Sequence, residues 1–300
     1  MRVAAALLAA SLLASCQPES VTPSPSPTVS ATPSRPRFEL STYPYTLQTR
    51  GKIRVAIRSG VAPMSDAPVS GNTIGKAQGF EPDLAREIAK AIFGTSDDPD
   101  GHIVWISVDT LTRETAVVSD QADISIGGVP ITDDNVKVMD LSDPYFTVGQ
   151  RLMVKKANDQ IKEIADVATG EQTVCAVTDS KSAAELKKIT NNGAKIIELG
   201  TTEFCMQALM SGAADAIVND EVTLLSLIRK APNDLKLVGR PFATTQLGIG
   251  MKKNAAGDRQ GFREFVNTAL LTIVASRTWA KIYEMDITPS SGDKKQLPTD

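Results

Sequence analysis

The sequence has little histidine, cysteine or aromatic content, and its charges nearly balance. The single histidine, His102, cannot by itself form a histidine metal site, and it lies in the polar run SDDPDGH, which reads as a surface loop. A histidine-based catalytic triad has equally poor support, so no metal, no cofactor and no enzyme activity are expected. Three cysteines in 300 residues are too few for a disulfide-built scaffold. A net charge of -3 provides no basic field, so nucleic acid is not expected as a partner. After the first 16 residues no apolar run approaches the ~20 residues that cross a bilayer.

The chain does have a 42% hydrophobic content and 17 prolines. That apolar content and length suit one large or two small domains with a real core. Residues 1–16, MRVAAALLAASLLASC, carry one basic residue, an apolar run from Val3 to Ala14 and then small residues. This pattern is a secretory signal too short to remain as a span. Its end, Leu13-Ala14-Ser15-Cys16, resembles the lipobox of bacterial lipoproteins. The resemblance implies a signal peptide over 1–15, lipidation of Cys16 and a membrane anchor outside the cytoplasm. A plain secreted protein with an incidental cysteine is the alternative. From Gln17 to Arg37 proline, serine and threonine dominate, which cannot bury enough surface to offset ordering. Residues 16–50 are therefore expected as anchor and tether, and 289–300 as a flexible tail.

The stretch from Gln121 to Val154 organises the rest. Asp123 to Ile126 reads as a buried strand, Gly127–Gly128 as a turn, and Thr132 as the cap of a short helix. Tyr145 to Val154 is the next strand. A strand end, glycines and a helix start make the ligand-facing edge of an open α/β sheet, although an ordinary strand–helix connection fits the same spacing. Around it, strand and helix patterns alternate. Gly51 to Ile57 is a strand, Leu84 to Phe93 a helix, His102 to Val108 a strand and Thr110 to Ser119 a helix. The pattern restarts with a short helix at Ile161 to Asp166, a strand at Thr173 to Val177 and a helix at Ser182 to Thr190. Strand–helix alternation continues to the strands at Ala216 to Val218 and Leu235 to Val238. Gly248 to Lys252 is a second crossing segment, followed by helices at Arg259 to Ser276 and near Trp279 to Glu284. Two α/β units joined by two crossings place a ligand cleft between lobes.

Six segments carry a resemblance to a known family. They are GKIRVAI at 51–57, GFEPDLAREIA at 79–89, ADISIGGVPITDDNVKVMDLSDPY at 122–145, ADAIVNDEV at 214–222, VGRPFATTQLGIGMKK at 238–253 and RTWAKIYEM at 277–285. Together they resemble the family 3 extracellular solute-binding proteins, the polar amino acid receptors of ABC importers. TRET at 112–115, VCAVTDS at 174–180 and FCMQAL at 204–209 resemble the glutamate/glutamine/aspartate receptors of actinobacterial type. The resemblance implies an α/β, type II periplasmic-binding-protein-like Venus flytrap whose two lobes are joined by two crossover strands. Lobe 1 would hold 51–147 and 243–288, and lobe 2 would hold 148–242. The partners it implies are an amino acid solute, an ABC permease and the membrane through the anchor, with the receptor a monomer. It also implies a disulfide between Cys175 and Cys205, for which two buried thiols are the alternative.

Carried over residue by residue, Asp220 matches the acceptor of the ligand ammonium, and a helix N-cap is its other reading. Gly127 and Gly128 match the glycine turn. Asn135 stands where the family places a carboxylate-binding arginine, and Pro130 where it places a hydroxyl. Three cations are candidates to replace that arginine: Arg113 of the Arg-Glu-Thr motif, Lys181 beside Ser180 at a helix start, and Arg58 at the cleft edge. For Arg58 and Lys181 a solvated surface charge is the competing reading. The implied function is import of a small polar solute, with glutamate, aspartate or their amides leading. A sensory lipoprotein, a cyclohexadienyl dehydratase-like enzyme and a receptor that has lost its ligand are the rivals.

Overall fold

In the first strand, β1 (Ile53–Arg58), alternate side chains enter different cores, as a period of two requires. Ile53, Val55 and Ile57 join one apolar cluster, while Ala56 joins another on the opposite face. A strand buried on both faces needs helices above and below, and the rest of the chain supplies them. The computed structural model describes residues 36–70, 73–94, 98–109 and 111–291. The signal at 1–15, Cys16, the first part of the tether and residues 292–300 lie outside the described residues.

The strands after β1 are β2 (Val69–Ser70), β3 (Thr73–Ile74), β4 (Ile103–Val108), β5 (Ile124–Pro130), β6 (Met139–Leu141) and β7 (Phe146–Lys155). They continue with β8 (Thr173–Val177), β9 (Lys195–Leu199), β10 (Ala216–Asp220) and β11 (Leu235–Lys252). The helices are α1 (Tyr43–Arg50), α2 (Phe80–Phe93), α3 (Thr115–Val118), α4 (Asp133–Val138) and α5 (Lys181–Ile189). α6 (Thr202–Ser211), α7 (Glu221–Lys230), α8 (Phe262–Ala275), α9 (Thr278–Asp286) and α10 (Thr288–Ser291) follow.

The main sheet runs in the order β4-β1-β5-β11-β7-β10-β8-β9, and β6 pairs with β11. β1 pairs in parallel with β4 and β5, and β8 pairs in parallel with β9 and β10. Two antiparallel strands connect these parallel halves. β7 pairs with β10 through Gln150 to Val154, and β11 pairs with β5 through Leu247 to Met251. Both pair with each other on either side of a break between Val238 and Ala243. The second half repeats the two-faced burial: Val174 and Ala176 of β8 enter one cluster and Cys175 the other. Cys175 and Cys205 are joined in a disulfide that ties β8 to α6, with Cα atoms 5.5 Å apart.

Four local expectations are corrected. Residues 43–50 are not tether but α1, whose Tyr43 and Leu47 are core residues. Tyr43 Oη donates to Asp123 Oδ1 at 2.7 Å, so the helix is pinned by a buried carboxylate as well as by apolar contact. The helix expected over 110–119 shortens to α3, because the Asp109 carboxylate accepts from the N–H groups of Leu111 and Thr112 and holds them in a turn. At 161–166 the helix is only a 3-10 turn, Ile164–Val167, with Asp166 accepting from the Lys162 and Glu163 amides. β11 is one long strand where two separate segments were expected.

Candidate functional site

Glycines 127 and 128 lie within β5 and make a bulge there, not a turn. Val129 pairs with Gly248 and Ser125 with Gly250, so β5 carries the extra residues. Gly128 has φ +72, which a side chain would strain. The object lying on this bulge is the Arg58 side chain, arriving from the end of β1. A Cβ on Gly127 would stand 3.2 Å from Arg58 Cγ, and one on Gly128 would stand 2.9 Å from Arg58 Nη2. Arg113 closes on the same place, its Nη1 donating to Gly128 O at 2.5 Å and its Nε to Glu114 Oε1 at 2.8 Å.

Beside these two guanidiniums lies Glu81, second residue of α2 and fully buried. Tyr145 Oη donates to Glu81 Oε1 at 2.6 Å. Tyr145 is itself fixed by Trp279, whose Nε1 donates to Tyr145 O at 2.8 Å within a cluster of Phe80, Phe146, Trp279 and Tyr283. Burial pushes Glu81 up to about 7, against the opposing pull of Arg58, the Tyr145 hydroxyl, Arg113 and the Gly128 N–H.

These groups form one wall of a cleft of about 520 Å³. Arg58, Glu81, Arg113, Gly128 and Pro130 line it from the half built on β1 and β5. Ser180, Lys181, Ser182, Thr202, Asn219 and Asp220 line it from the half built on β8 and β10. Val148 and Gln150 of β7 and Thr245 and Leu247 of β11 form its floor at the crossings. The cleft therefore lies where the two halves of the sheet are joined, at the strand ends where loops and helix starts are exposed.

On the second wall the polar side chains sit at helix starts. Ser180 caps α5, its Oγ accepting from Ala183 N at 3.1 Å, and Lys181 follows as the first helical residue. Lys181 Nζ reaches back to Thr245 Oγ1 at 2.5 Å, so its ammonium is directed toward β11 and the cleft. Asp220 caps α7 through Thr223 N at 2.8 Å and also accepts from Thr223 Oγ1 at 2.8 Å. Capping and cleft lining coexist in this residue, because a carboxylate has acceptor sites left for a ligand.

Six of the expected ligand residues, Asp220, Arg113, Gly128, Ser180, Lys181 and Arg58, are thus gathered in one cavity. Two are not. Asn135 folds back on its own turn, with Nδ2 donating to Pro130 O at 2.9 Å, and does not line the cleft. Gly127 is covered by Arg58. Both of these expected residues thus stand apart from the cleft lining in this structure. Pro130 does line the cleft. Sequence reading passed over Glu81, whose only signal was its place in the GFEPDL segment, and Gln150, which lies in an apolar strand.

The sequence profile of the bacterial extracellular solute-binding proteins, family 3, matches residues 53–285. The chain is 29% identical over 251 residues to the glutamine-binding protein of Geobacillus stearothermophilus, covering 83% of this chain and 89% of that one. It is 30% identical over 241 residues to a probable histidine-binding protein of Neisseria gonorrhoeae, covering 78% and 82%. Among solved structures, an ancestral arginine-binding protein bound to glutamine superposes with a TM-score of 0.57 at 32% identity. That match covers 79% of this chain and 98% of that one. The fold is accordingly the type II, two-lobed α/β form joined by two crossover strands, as the sequence had implied. The chain belongs to the bacterial extracellular solute-binding proteins, family 3, the receptors of polar amino acid importers.

Proposed function

We propose that this chain is a lipid-anchored, monomeric receptor of an ABC importer that binds glutamate, aspartate or one of their amides. Lobe 1 comprises 51–147 and 243–288, lobe 2 comprises 148–242, and Cys16 carries the lipid. The observation that carries the reading is a carboxylate and guanidiniums on opposite walls of one cleft. An α-amino acid presents an ammonium and a carboxylate, which need an acceptor and a cation. Asp220 supplies the acceptor. Arg58 and Arg113, held at the glycine bulge, supply the cations that Asn135 does not.

Contacts made to both walls exist together only when the lobes close, so solute binding shifts the open–closed population. The permease would read the closed form. Binding proteins among the relatives support a receptor over an enzyme. Thermal unfolding of the purified protein with each common amino acid tests the reading. Ligand at about one hundred times its Kd adds about 2.7 kcal/mol, which raises Tm by roughly 5–10 °C in a domain of this size. No shift with any amino acid would refute the amino acid assignment.

A further inference from the structure

The charges that border the cleft are of both signs on each wall. Arg113 is bonded to Glu114, Arg58 lies beside Glu81, and Lys181 shares the second wall with Asp220. Among the described residues the cleft lining thus holds three cations and two carboxylates, with Glu114 offsetting Arg113 from outside the lining. Two buried atoms on the first wall, Arg58 Nε and Glu81 Oε2, have no hydrogen-bond partner. Glu81 lines the cleft yet has 0% exposure, so its charge acts on the solute from within the wall, beside Arg58. A charge buried in this way is weakly screened.

Resting on the receptor reading above, we propose that Glu81 is a positioning residue that sets specificity. By balancing Arg58 it makes the cleft accept a net-neutral zwitterion with a carboxamide side chain and disfavour the corresponding acid. A net-neutral solute adds no charge to a balanced cavity. An acidic solute brings one unmatched negative charge into a closed space, where such a charge is costly. With Glu81 neutral, Arg58 is left uncompensated and the acid becomes the matched ligand. The groups facing Glu81 are Arg58 on β1, Arg113 before α3, the Gly128 N–H on β5 and the Tyr145 hydroxyl before β7. Tyr145 is held well above the usual tyrosine range by burial and by Glu81. Glu81 is the group among these that changes charge near neutral pH.

The test titrates L-glutamine and L-glutamate, and in parallel L-asparagine and L-aspartate, into wild type and Glu81→Gln at about pH 8 and about pH 6. A neighbouring charge of this kind moves binding by about tenfold or more. Wild type at the higher pH should favour the amide by about tenfold or more. At the lower pH the acid should gain by a similar factor while the amide stays within about twofold. E81Q should show the low-pH preference at both values. That loss of pH dependence is a readout which a purely structural role for Glu81 would not produce. Should E81Q fail to fold, the wild-type pH series decides alone. Acid bound as tightly as amide by wild type at the higher pH overturns the inference. So does a preference unmoved by pH and by E81Q, or binding of an amino acid outside both pairs only. Binding of no amino acid at all overturns the receptor reading itself, and this inference with it.

Discussion

Replacing Gly128 by alanine separates the cost of backbone strain from the cost to the site. Gly128 and Gly51 have nearly the same left-handed backbone, at φ +72 and φ +74. An added methyl on Gly51, the C-cap of α1, meets nothing within 4 Å. On Gly128 it would stand 2.9 Å from Arg58 Nη2, 3.4 Å from Arg58 Cζ and 3.5 Å from Arg113 Nη1. Both substitutions force a side chain into the left-handed region at about 1–2 kcal/mol, partly offset by reduced freedom in the unfolded chain. Each should lower Tm by roughly 2–6 °C. Only Gly128→Ala must displace the end of Arg58, a flexible side chain that moves more easily than it resists. Its further effect should therefore appear in binding and not in stability. Loss of one charge-assisted contact of about 1.5–3 kcal/mol weakens the solute by roughly 10- to 150-fold. Paired melting curves and calorimetric titrations of G51A and G128A measure both quantities. Equal affinity in the two variants would refute the claim that the glycine bulge exists to seat Arg58.

Other expectations concern stability. Replacing Cys175 and Cys205 together by alanine removes a cross-link over a sequence separation of 30 and should cost about 3–4 kcal/mol in urea unfolding. Asp123→Ala strips the acceptor that serves Arg54 N, Arg54 Nη2 and Tyr43 Oη, and should cost about 3 kcal/mol at neutral pH. Hydrogen bonds from Arg54 help hold the Asp123 carboxyl below its usual range, so its contribution is present above the unfolded pKa. It disappears as pH falls through the lowered folded value, and the variant's deficit should shrink with it. Asp286 behaves oppositely. At the end of α9, burial and Asp83 raise it to about 6, and its Oδ2 has no hydrogen-bond partner. A raised carboxylate favours folding most when protonated, and that benefit is lost as pH rises through about 6. Asp286→Asn should stabilise by about 0.5–1 kcal/mol near pH 7.5, through relief at the helix C-terminus, and have no effect near pH 4 in the same melts.

The fold was legible because burial on both faces of parallel strands leaves apolar runs, as in β5 and β8, between helical patterns. The caps at Ser180 and Asp220 were equally legible, since capping is a local contact between residues three apart. α1 escaped notice because only Tyr43 and Leu47 mark an apolar face, in a segment that follows proline-rich sequence. Glu81 lay in the GFEPDL segment ahead of the expected helix, and nothing local reveals that Tyr145 and Arg58 meet it from distant segments. Asn135 stands outside the cleft lining for a related reason. A matched position fixes where the backbone goes, but a short amide next to the Pro130 carbonyl bonds that carbonyl instead of crossing to the cleft. Conversely, Arg58 gained its role from packing on Gly127 and Gly128, residues about seventy positions away in sequence.

Calorimetric titration of wild type and Asp220→Asn with glutamine, glutamate, asparagine and aspartate tests the receptor reading most directly. Asparagine caps helices as well as aspartate does, so α7 should keep its start and the variant should fold. One-site binding of at least one of the four by wild type is expected, weakened by roughly 30-fold or more in the variant. Binding that survives Asp220→Asn unchanged, or no binding by wild type, would contradict an amino acid held between Asp220 and the two arginines.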